Sequence, residues 1–562
     1  IEDFINRVLN TSNIDDSYID IFNKGIYTML LDNIYKSSME LRNFDKERFK
    51  RTLNEFKSND KKLIKINTQR IKEILDNRII LRLKDINARK QLALLDRENS
   101  KKKRHLPLRT LFSSIPDVIK TLKPCIMMSP LSVSEYIDLK SFKFDMVIFD
   151  EASQICPEDA IGAMLRGNQI IIAGDKKQLP PTKFFSTISE ESEEYDNDDE
   201  PKFEELFTEN DYESILDLAS TFMHSSRLLW HYRSRHESLI TFSNKNFYDN
   251  TLYTFPSTEN NENLGVQFEY VEGIYDQGGS STNIIEARKV AQLVINHFKK
   301  SPNRSLGVIT FGTKQMDCIN DMIEEIRISY PELDKYFDEE KENPFFVKNL
   351  ENVQGDERDT IILSVCYGYS DSARKKLSHN FGPINKAGGE RRLNVAITRA
   401  KYQLIVVSSI KDGDIDLGRT SSIGARLLKE YLYFARVGKL PESLIVDRKK
   451  RFDSPLEEDI YNELIKLGYE VDTQVGCSGY RIDLAIKDPN QKGNYLMGIE
   501  CDGATYHSSK SARDRDRLRQ EVLEGLGWNI HRIWSQDWFK NKYNELVEVR
   551  DKVNNILSGS IR

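Results

Sequence analysis

The sequence predicts an α/β protein built on parallel sheets, with a long helical arm before the first sheet and a small α/β domain after the second. Three observations carry that expectation. Two apolar runs, Met146-Val147-Ile148-Phe149 and Gln169-Ile170-Ile171-Ile172-Ala173, have the length and flanks of strands buried on both faces, and each ends in a polar, charged turn. No Pro or Gly occurs between residues 45 and 100, where apolar residues recur at three- and four-residue steps. After Lys449-Lys450-Arg451 the composition changes, and short apolar segments follow a helix start at Ser454-Pro455.

At 562 residues the chain is too long for one core, and three or four folding units are expected. A hydrophobic fraction of 39% with 10% aromatics suits ordered globular domains. No apolar run approaches the roughly 18 residues of a membrane span, so no membrane partner is expected. No signal peptide stands at the start as given. Ile1 is not a natural initiator, and the expectation is that the true N-terminus lies upstream. Six cysteines (125, 156, 318, 366, 477, 501) lie singly, with no CxxC, which fits reduced thiols in a cytoplasmic protein and not a structural zinc site.

The net charge of −6 hides two opposed blocks. Residues 45–109 hold 21 Lys/Arg against 9 Asp/Glu, net +12, while residues 190–213 hold 13 acids against one Lys, net −12. The basic block is a candidate phosphate-contacting surface, the alternative being an exposed helix kept basic for solubility. The acidic block reads as a surface loop without chemistry.

In order along the chain, residues 1–110 read as a pair of long helices. Their apolar steps (Leu53, Phe56; Leu63, Ile64, Ile66; Ile71, Ile74, Leu75) are too irregular for sustained heptads. Lys101 to Arg109 marks a loop back into the core. Cys125-Ile126-Met127-Met128-Ser129-Pro130 reads as a strand followed by a polar turn. The run Met146–Phe149 then ends in Asp150-Glu151-Ala152-Ser153-Gln154. Adjacent carboxylates at the carboxyl end of a parallel strand suit a nucleotide hydrolase, one holding Mg²⁺ and the other orienting or deprotonating water. The plain alternative is an acidic helix cap. The next strand ends in Gly174-Asp175-Lys176-Lys177-Gln178-Leu179-Pro180-Pro181-Thr182.

The pair DEASQ and GDKKQLPPT resembles motifs II and III of superfamily 1 helicases, in particular the upframeshift-type branch. Three further segments resemble later motifs in the right order. They are Leu228-Leu229-Trp230-His231-Tyr232-Arg233-Ser234-Arg235 for motif IV, Val353-Gln354-Gly355-Asp356-Glu357 for motif V, and Arg391-Arg392-Leu393-Asn394-Val395-Ala396-Ile397-Thr398-Arg399-Ala400-Lys401 for motif VI. The resemblance implies two RecA-like parallel-sheet lobes, 111–225 (partial) and 226–445, with residues 1–110 as a helical stalk inserted in the first. It implies Asp150 on Mg²⁺ and Glu151 as water-activating base. Gly174, Asp175, Gln178, Gln354, Gly355 and Glu357 would line the ATP site, with Gln178 sensing the γ-phosphate. Arg233, with Arg235 as second choice, and Arg399 would stabilise the phosphoryl transition state. It also implies that the Ser129–Ser134 loop touches the nucleic-acid backbone and that movement runs 5′→3′. No GxxxxGK[ST] occurs in the 562 residues. Either the phosphate-cradling loop lies upstream of Ile1 or the ATPase is defunct.

At the C-terminus, a helix from Ser454 carries Glu457. Apolar segments then carry Asp483 and the pair Glu500 and Asp502, which share a strand face two residues apart with Cys501 turned away. These carboxylates are candidate ligands for Mg²⁺, or Mn²⁺ in its place. The helix, D-strand and ExD-strand order resembles the PD-(D/E)XK nucleases, close to the very-short-patch-repair endonuclease-like group, over residues 454–540, within an expected domain of 452–555. The resembled pattern often has Lys where Asp502 stands. His507 is the candidate for proton transfer, the alternative being a surface histidine. Gln520 is a possible support for the site, and Arg513 to Arg519, alternating with Asp, reads as an exposed ion-paired face.

The expectation is therefore an ATP-dependent helicase or translocase coupled to a metal-dependent endonuclease. Its partner would be nucleic acid, DNA with a single-stranded stretch, in defence against foreign DNA. The rivals are a nucleic-acid-binding protein with an inactive motor and an RNA-remodelling helicase whose nuclease fold only grips.

Overall fold

The computed structural model describes residues 16–39, 46–181, 212–258, 264–371, 373–374, 376–438, 452–476, 480–491, 493–502, 511 and 513–559. His507, Cys477 and nearly all of the acidic 190–213 stretch lie outside these, as does the side chain of Asp502. The chain divides into two compact units, 1–77 and 78–562.

The first unit holds α1 (Asp16–Ser37) and most of α2 (Lys46–Arg82). Helix persists here because nothing interrupts it. The expected second long helix is cut at residues 83–85, where Asp85 caps α3 (Ile86–Ser100) by accepting from Asn87 N at 2.9 Å. In the second unit Gln91 of α3 ties back to Asp117, donating from Nε2 at 3.1 Å and accepting its backbone N–H at 3.1 Å.

Short helices α4 (Leu108–Ser114), α5 (Pro116–Leu122), α6 (Pro130–Tyr136) and α7 (Pro157–Met164) surround a two-stranded parallel sheet of β1 (Phe144–Phe149) and β2 (Gly167–Ile172). Two expectations fail here. Residues 125–129 form no strand, because no described strand offers them a ladder, and Met127 is 97% exposed. Ser129 instead caps α6, accepting from Ser132 N. Nor is β1 buried on both faces. Phe149 packs with Ala152, Ala160, Ala163 and Ile215, whereas Ile148 is 63% exposed on the uncovered side. Helix α8 (Ile215–Ala219) closes this lobe.

The second lobe is a five-stranded, all-parallel sheet, order β3-β7-β6-β4-β5, from β3 (Gly265–Tyr270), β4 (Leu306–Thr310), β5 (Phe346–Asn349), β6 (Arg358–Ser364) and β7 (Ala400–Ser408). Its inner strands carry continuous apolar runs, Val308-Ile309, Ile361-Ile362-Leu363 and Leu404-Ile405-Val406-Val407, because both faces are covered. Ile361 and Leu363 face α9 (Ser238–Phe247), α12 (Gly389–Ile397) and α13 (Ile423–Val437). Ile362 faces α10 (Ile284–Lys300) and α11 (Thr313–Arg327).

The C-terminal domain begins with α14 (Pro455–Lys466), capped by Ser454. Its sheet runs β11-β10-β9-β8, from β8 (Val471–Val475), β9 (Ile482–Lys487), β10 (Tyr495–Asp502) and β11 (Ile530–Trp534). Pairing is antiparallel except for β10 with β11. Leu456, Ile460 and Leu464 of α14 and Trp538, Val549 and Val553 of α16 (Ser535–Leu557) cover one face. Helix α15 (Arg519–Gly525) precedes β11. Arg517, expected on an exposed face, is 6% exposed and paired with Glu521, since its turn packs inward. Among the described residues no helix is long and apolar enough to cross a membrane, and Cys125, Cys156, Cys318, Cys366 and Cys501 are free thiols.

Candidate functional site

Two acidic sites emerge, one between the α/β lobes and one on the C-terminal sheet. In the first, β1 and β2 run side by side and deliver their following loops to one point. Glu151 turns with φ +51°, and its N–H is accepted by Asp150 Oδ1 at 3.0 Å. Ala152 N bonds to Ala173 O at 2.9 Å, so the loops nearly touch. A Cβ on Gly174 would lie 3.0 Å from Ala152 N and 3.1 Å from Ser153 N, which explains the glycine.

The second lobe reaches this point through Gln354. Its Nε2 donates to Glu151 Oε2 at 3.0 Å, and its Oε1 accepts from Leu179 N at 3.2 Å. Gly355 follows with φ +87°, a backbone turn that favours glycine. A second cross-lobe link runs through Asp175. Its Oδ2 accepts from Gln178 Nε2 at 3.1 Å and from Tyr248 OH at 2.7 Å. Asn394 Nδ2 donates to Tyr248 OH at 3.1 Å and to Lys177 O at 2.9 Å.

Arg399 is 5% exposed, its Nε donating to Val395 O at 2.9 Å. Burial, and then the neighbouring Arg233 charge, hold its pKa below the ordinary arginine value, with Glu151 and Glu357 partly offsetting them. Arg233 Nε pairs with Glu357 Oε2 at 3.1 Å, and Lys401 Nζ pairs with Glu357 Oε1 at 2.7 Å. Glu357 is accordingly held below the usual carboxylate range, most of all by Lys401. Arg235, the second choice for the cleft, points elsewhere: its Nη1 donates to Gly525 O at 2.7 Å.

Three buried polar atoms of this cleft have no hydrogen-bond partner: Ser153 Oγ, Gln178 Oε1 and Asn394 Oδ1. Each orphaned group costs about 1–3 kcal/mol. Such a cluster suits a site that receives a polar ligand, and Asp150, exposed at the strand end, suits a Mg²⁺ that keeps most of its waters.

On the C-terminal sheet the register sets up a polar row. Continuing the ladders by one pair places Gln474 of β8 opposite Asp483 of β9, and Asp483 opposite Glu500 of β10; Glu500 faces Arg532 of β11 directly. Glu500 Oε2 accepts from Arg532 Nη2 at 3.1 Å. Asp483 Oδ2 accepts from Cys501 N at 2.8 Å. Burial, reinforced by Glu457 and Asp453, pushes its carboxyl up to about 7. Glu457 is 4% exposed and fully engaged at the start of α14, accepting from Ser454 Oγ at 2.8 Å, Asp453 N at 3.0 Å and Gln474 Nε2 at 2.8 Å. Among the described residues, no three of these carboxylates offer oxygens within 4.8 Å of one another. The group that does is His531, Glu545 and Glu548. There Lys552 Nζ lies 2.7 Å from His531 Nδ1, so that ring nitrogen is already engaged. Asp502 closes β10 opposite Trp534. Gln520 Nε2 donates to Glu524 Oε1 at 2.7 Å.

The residues that sequence reasoning did not single out are Tyr248, Asn394 and Lys401 in the cleft and Gln474 and Arg532 on the sheet. Asn394 and Lys401 sat inside a quoted motif. An arginine between apolar strand residues, as in Ile530-His531-Arg532-Ile533, was the available signal for Arg532.

Comparison with known proteins defines the class. Residues 7–186 and 199–411 each match a model of the AAA domain, and residues 456–553 match the model REase_MTES_1575. The chain carries an AAA region of helicase type fused to a restriction-endonuclease-like domain. An uncharacterized ATP-dependent helicase of Mycoplasma genitalium, MG140, is 31% identical over 465 residues, covering 78% of this chain and 39% of the relative. An uncharacterized ATP-dependent helicase of Methanocaldococcus jannaschii, MJ0104, is 31% identical over 296 residues, 48% of this chain and 37% of the relative. The ATP-dependent helicase upf1 of Schizosaccharomyces pombe is 25% identical over 289 residues, 49% of this chain and 27% of the relative. The chain thus spans well under half the length of these relatives.

Proposed function

We propose that this chain couples ATP hydrolysis between its two lobes to movement along DNA with a single-stranded stretch, and cuts that DNA with its C-terminal domain. The observation that carries the reading is the bridge from Glu151 through Gln354 to Leu179, which brings motif-like residues 203 positions apart into one hydrogen-bonded unit.

Asp150 would hold Mg²⁺, which when bound neutralises charge on the β- and γ-phosphates. Glu151 takes the proton of the attacking water, and Gln178 orients that water or the γ-phosphate. Arg399 and Arg233 face the developing charge on the transferred phosphoryl group. Gln354, Gly355, Gly174 and Asp175 shape the cleft around them.

On the C-terminal sheet, Asp483, Glu500 and Asp502 would hold Mg²⁺ or Mn²⁺, which when bound supplies a nucleophilic water and a Lewis acid at the phosphodiester. What supports this is that the strand register sets Asp483 across from Glu500, and the buried Asp483 carboxyl, raised to about 7, would ionise more readily with a cation beside it. Arg532 supplies the positive charge that Asp502 does not. Glu457 steadies Asp483 through Gln474, and His507 remains the proposed proton donor. The free thiols favour a cytoplasmic setting, and the motor–nuclease fusion favours defence against foreign DNA.

The test is a paired assay of ATP turnover and DNA cleavage by the protein with single-stranded DNA and Mg²⁺ or Mn²⁺. Asp483→Ala and Glu500→Ala are expected to lose cleavage while keeping DNA-stimulated ATP turnover, whereas chelation of the metal is expected to lose both. Variants that cut like the parent would overturn the nuclease assignment. Absence of nucleic-acid-stimulated turnover in the full-length protein would favour the inactive-motor reading.

A further inference from the structure

The C-terminal domain is seated on the stretch of the second lobe that carries Arg233. Phe255, 5% exposed, packs in one cluster with Ile482, Ala485, Leu523 and Trp528 of that domain. Its ring lies 5.4 Å from Tyr480 on one side and 5.7 Å from Trp230 on the other. Three hydrogen bonds stitch the same seam: Trp528 Nε1 to Pro256 O at 2.8 Å, Tyr495 N to Thr258 O at 2.9 Å, and Thr258 Oγ1 to Leu526 O at 3.2 Å. Buried aromatic packing with directional bonds makes a fixed seat; a tethered module would touch through a more polar, looser surface.

The fourth bond of the seam comes from Arg235. Its Nη1 holds Gly525 O at 2.7 Å, at the C-terminal end of α15, and its guanidinium lies 5.9 Å from the centre of the Tyr402 ring. The backbone of Arg235 is itself pinned, its N–H donating to Lys401 O at 2.7 Å. Lys401 and Arg233 grip opposite oxygens of Glu357 at 2.7 and 3.1 Å. One short segment, Arg233-Ser234-Arg235, therefore touches the motor cleft at one end and the nuclease-like domain at the other. Past Gly525 the chain runs directly into Trp528 and β11, where Arg532 holds Glu500.

We propose that Arg235 is a positioning residue that transmits the nucleotide state of the cleft to the nuclease site. The two-state element is Arg233. It has two competing anions, the Glu357 carboxylate that it holds in this structure and the terminal phosphate of a nucleoside triphosphate. Changing partner shifts the segment 233–235, and Arg235 carries the shift to the α15–β11 turn and so to the Arg532–Glu500 pair. Cleavage is thereby set by nucleotide at the motor. Reciprocity applies to binding: whatever factor nucleotide imposes on metal affinity at the nuclease site, bound metal imposes on nucleotide affinity. This inference rests on the motor and nuclease readings above.

Amide exchange on the full chain, with and without a non-hydrolysable ATP analogue, tests it without relying on activity. The parent is expected to show nucleotide-dependent changes both in residues 229–235 and in 519–534. Arg235→Ala keeps the first and loses the second, and Arg235→Lys restores part of it. In the cleavage assay, nucleotide is expected to change the parent's rate by about ten-fold, and this response, not the nucleotide-free rate, disappears in Arg235→Ala. A change confined to 229–235 in the parent overturns the coupling and leaves the nucleotide site standing. No change in either segment overturns both. An Arg235→Ala protein that responds like the parent overturns the role of Arg235, and Phe255→Ala, which loosens the seat without touching the strut, shows whether the apolar seam transmits the signal instead.

Discussion

Glu151 in the motor cleft and Glu500 on the C-terminal sheet both sit at the carboxyl end of a strand, yet they are partnered in different ways. Glu151 takes its partner, Gln354, from the other lobe, and the buried polar atoms around it stay unsatisfied. Glu500 takes its partner, Arg532, from the adjacent strand. Its neighbours Asp483 and Glu457 are closed off by a backbone N–H, a capping serine and Gln474. The cleft is thus a site whose geometry depends on how two lobes meet. The sheet site is a self-compensated row fixed by strand register, and a cation there must displace a proton or a guanidinium. The first design suits a cycle of opening and closing, the second a site held silent until a cation binds.

The largest expected effect separates the two sites. Arg399→Lys keeps the charge but loses the planar fork proposed to meet the transition state, and ATP turnover is expected to fall by about 10³ in steady-state assays, with cleavage in Mn²⁺ and no nucleotide untouched. Loss of both activities together would erase the distinction.

A smaller effect concerns protons. Asp483, raised to about 7, holds its proton through mildly acidic pH. Mn²⁺ affinity measured by calorimetry is therefore expected to climb by up to about ten-fold per pH unit as the pH approaches 7, then level off. The sign for the metal-free fold is opposite. A raised carboxyl favours the folded state at low pH, and that contribution is lost as pH rises from about 4 through about 7. The smallest effect sharpens the role of the row itself. Arg532→Met removes the cation competing for Glu500, so Mn²⁺ should bind several-fold more tightly while the DNA is cut more slowly. Weaker metal binding would show that Arg532 orients Glu500 as a ligand.

What the sequence made legible follows from how local each signal was. Asp150–Glu151 and Gly174–Gln178 could be placed at strand ends because apolar runs and polar turns are contiguous in the chain. The capped start of α14 was legible for the same reason, through Ser454 and Pro455. Asp483 and Glu500 could be assigned to strands, but their common row, and Arg532 at its end, depends on register between strands that no single segment encodes. The interruption at residues 83–85 was hidden because Asp85 breaks α2 by capping a new helix, without Pro or Gly. The strand expected at 125–129 failed for a non-local reason: an apolar run becomes a strand only where a neighbouring strand offers it a ladder. Arg235 looked like a substitute for Arg233. Only the folded seam shows it turned toward Gly525.

The most direct measurement is ATP turnover by Glu151→Gln with single-stranded DNA present, alongside nucleotide binding by the same protein. Turnover is expected to fall by about 10³ with nucleotide still bound, because the amide keeps the Gln354 contact but accepts no proton. Turnover equal to the parent's would contradict the assignment of Glu151 as the base, and with it the cleft as the seat of the chemistry.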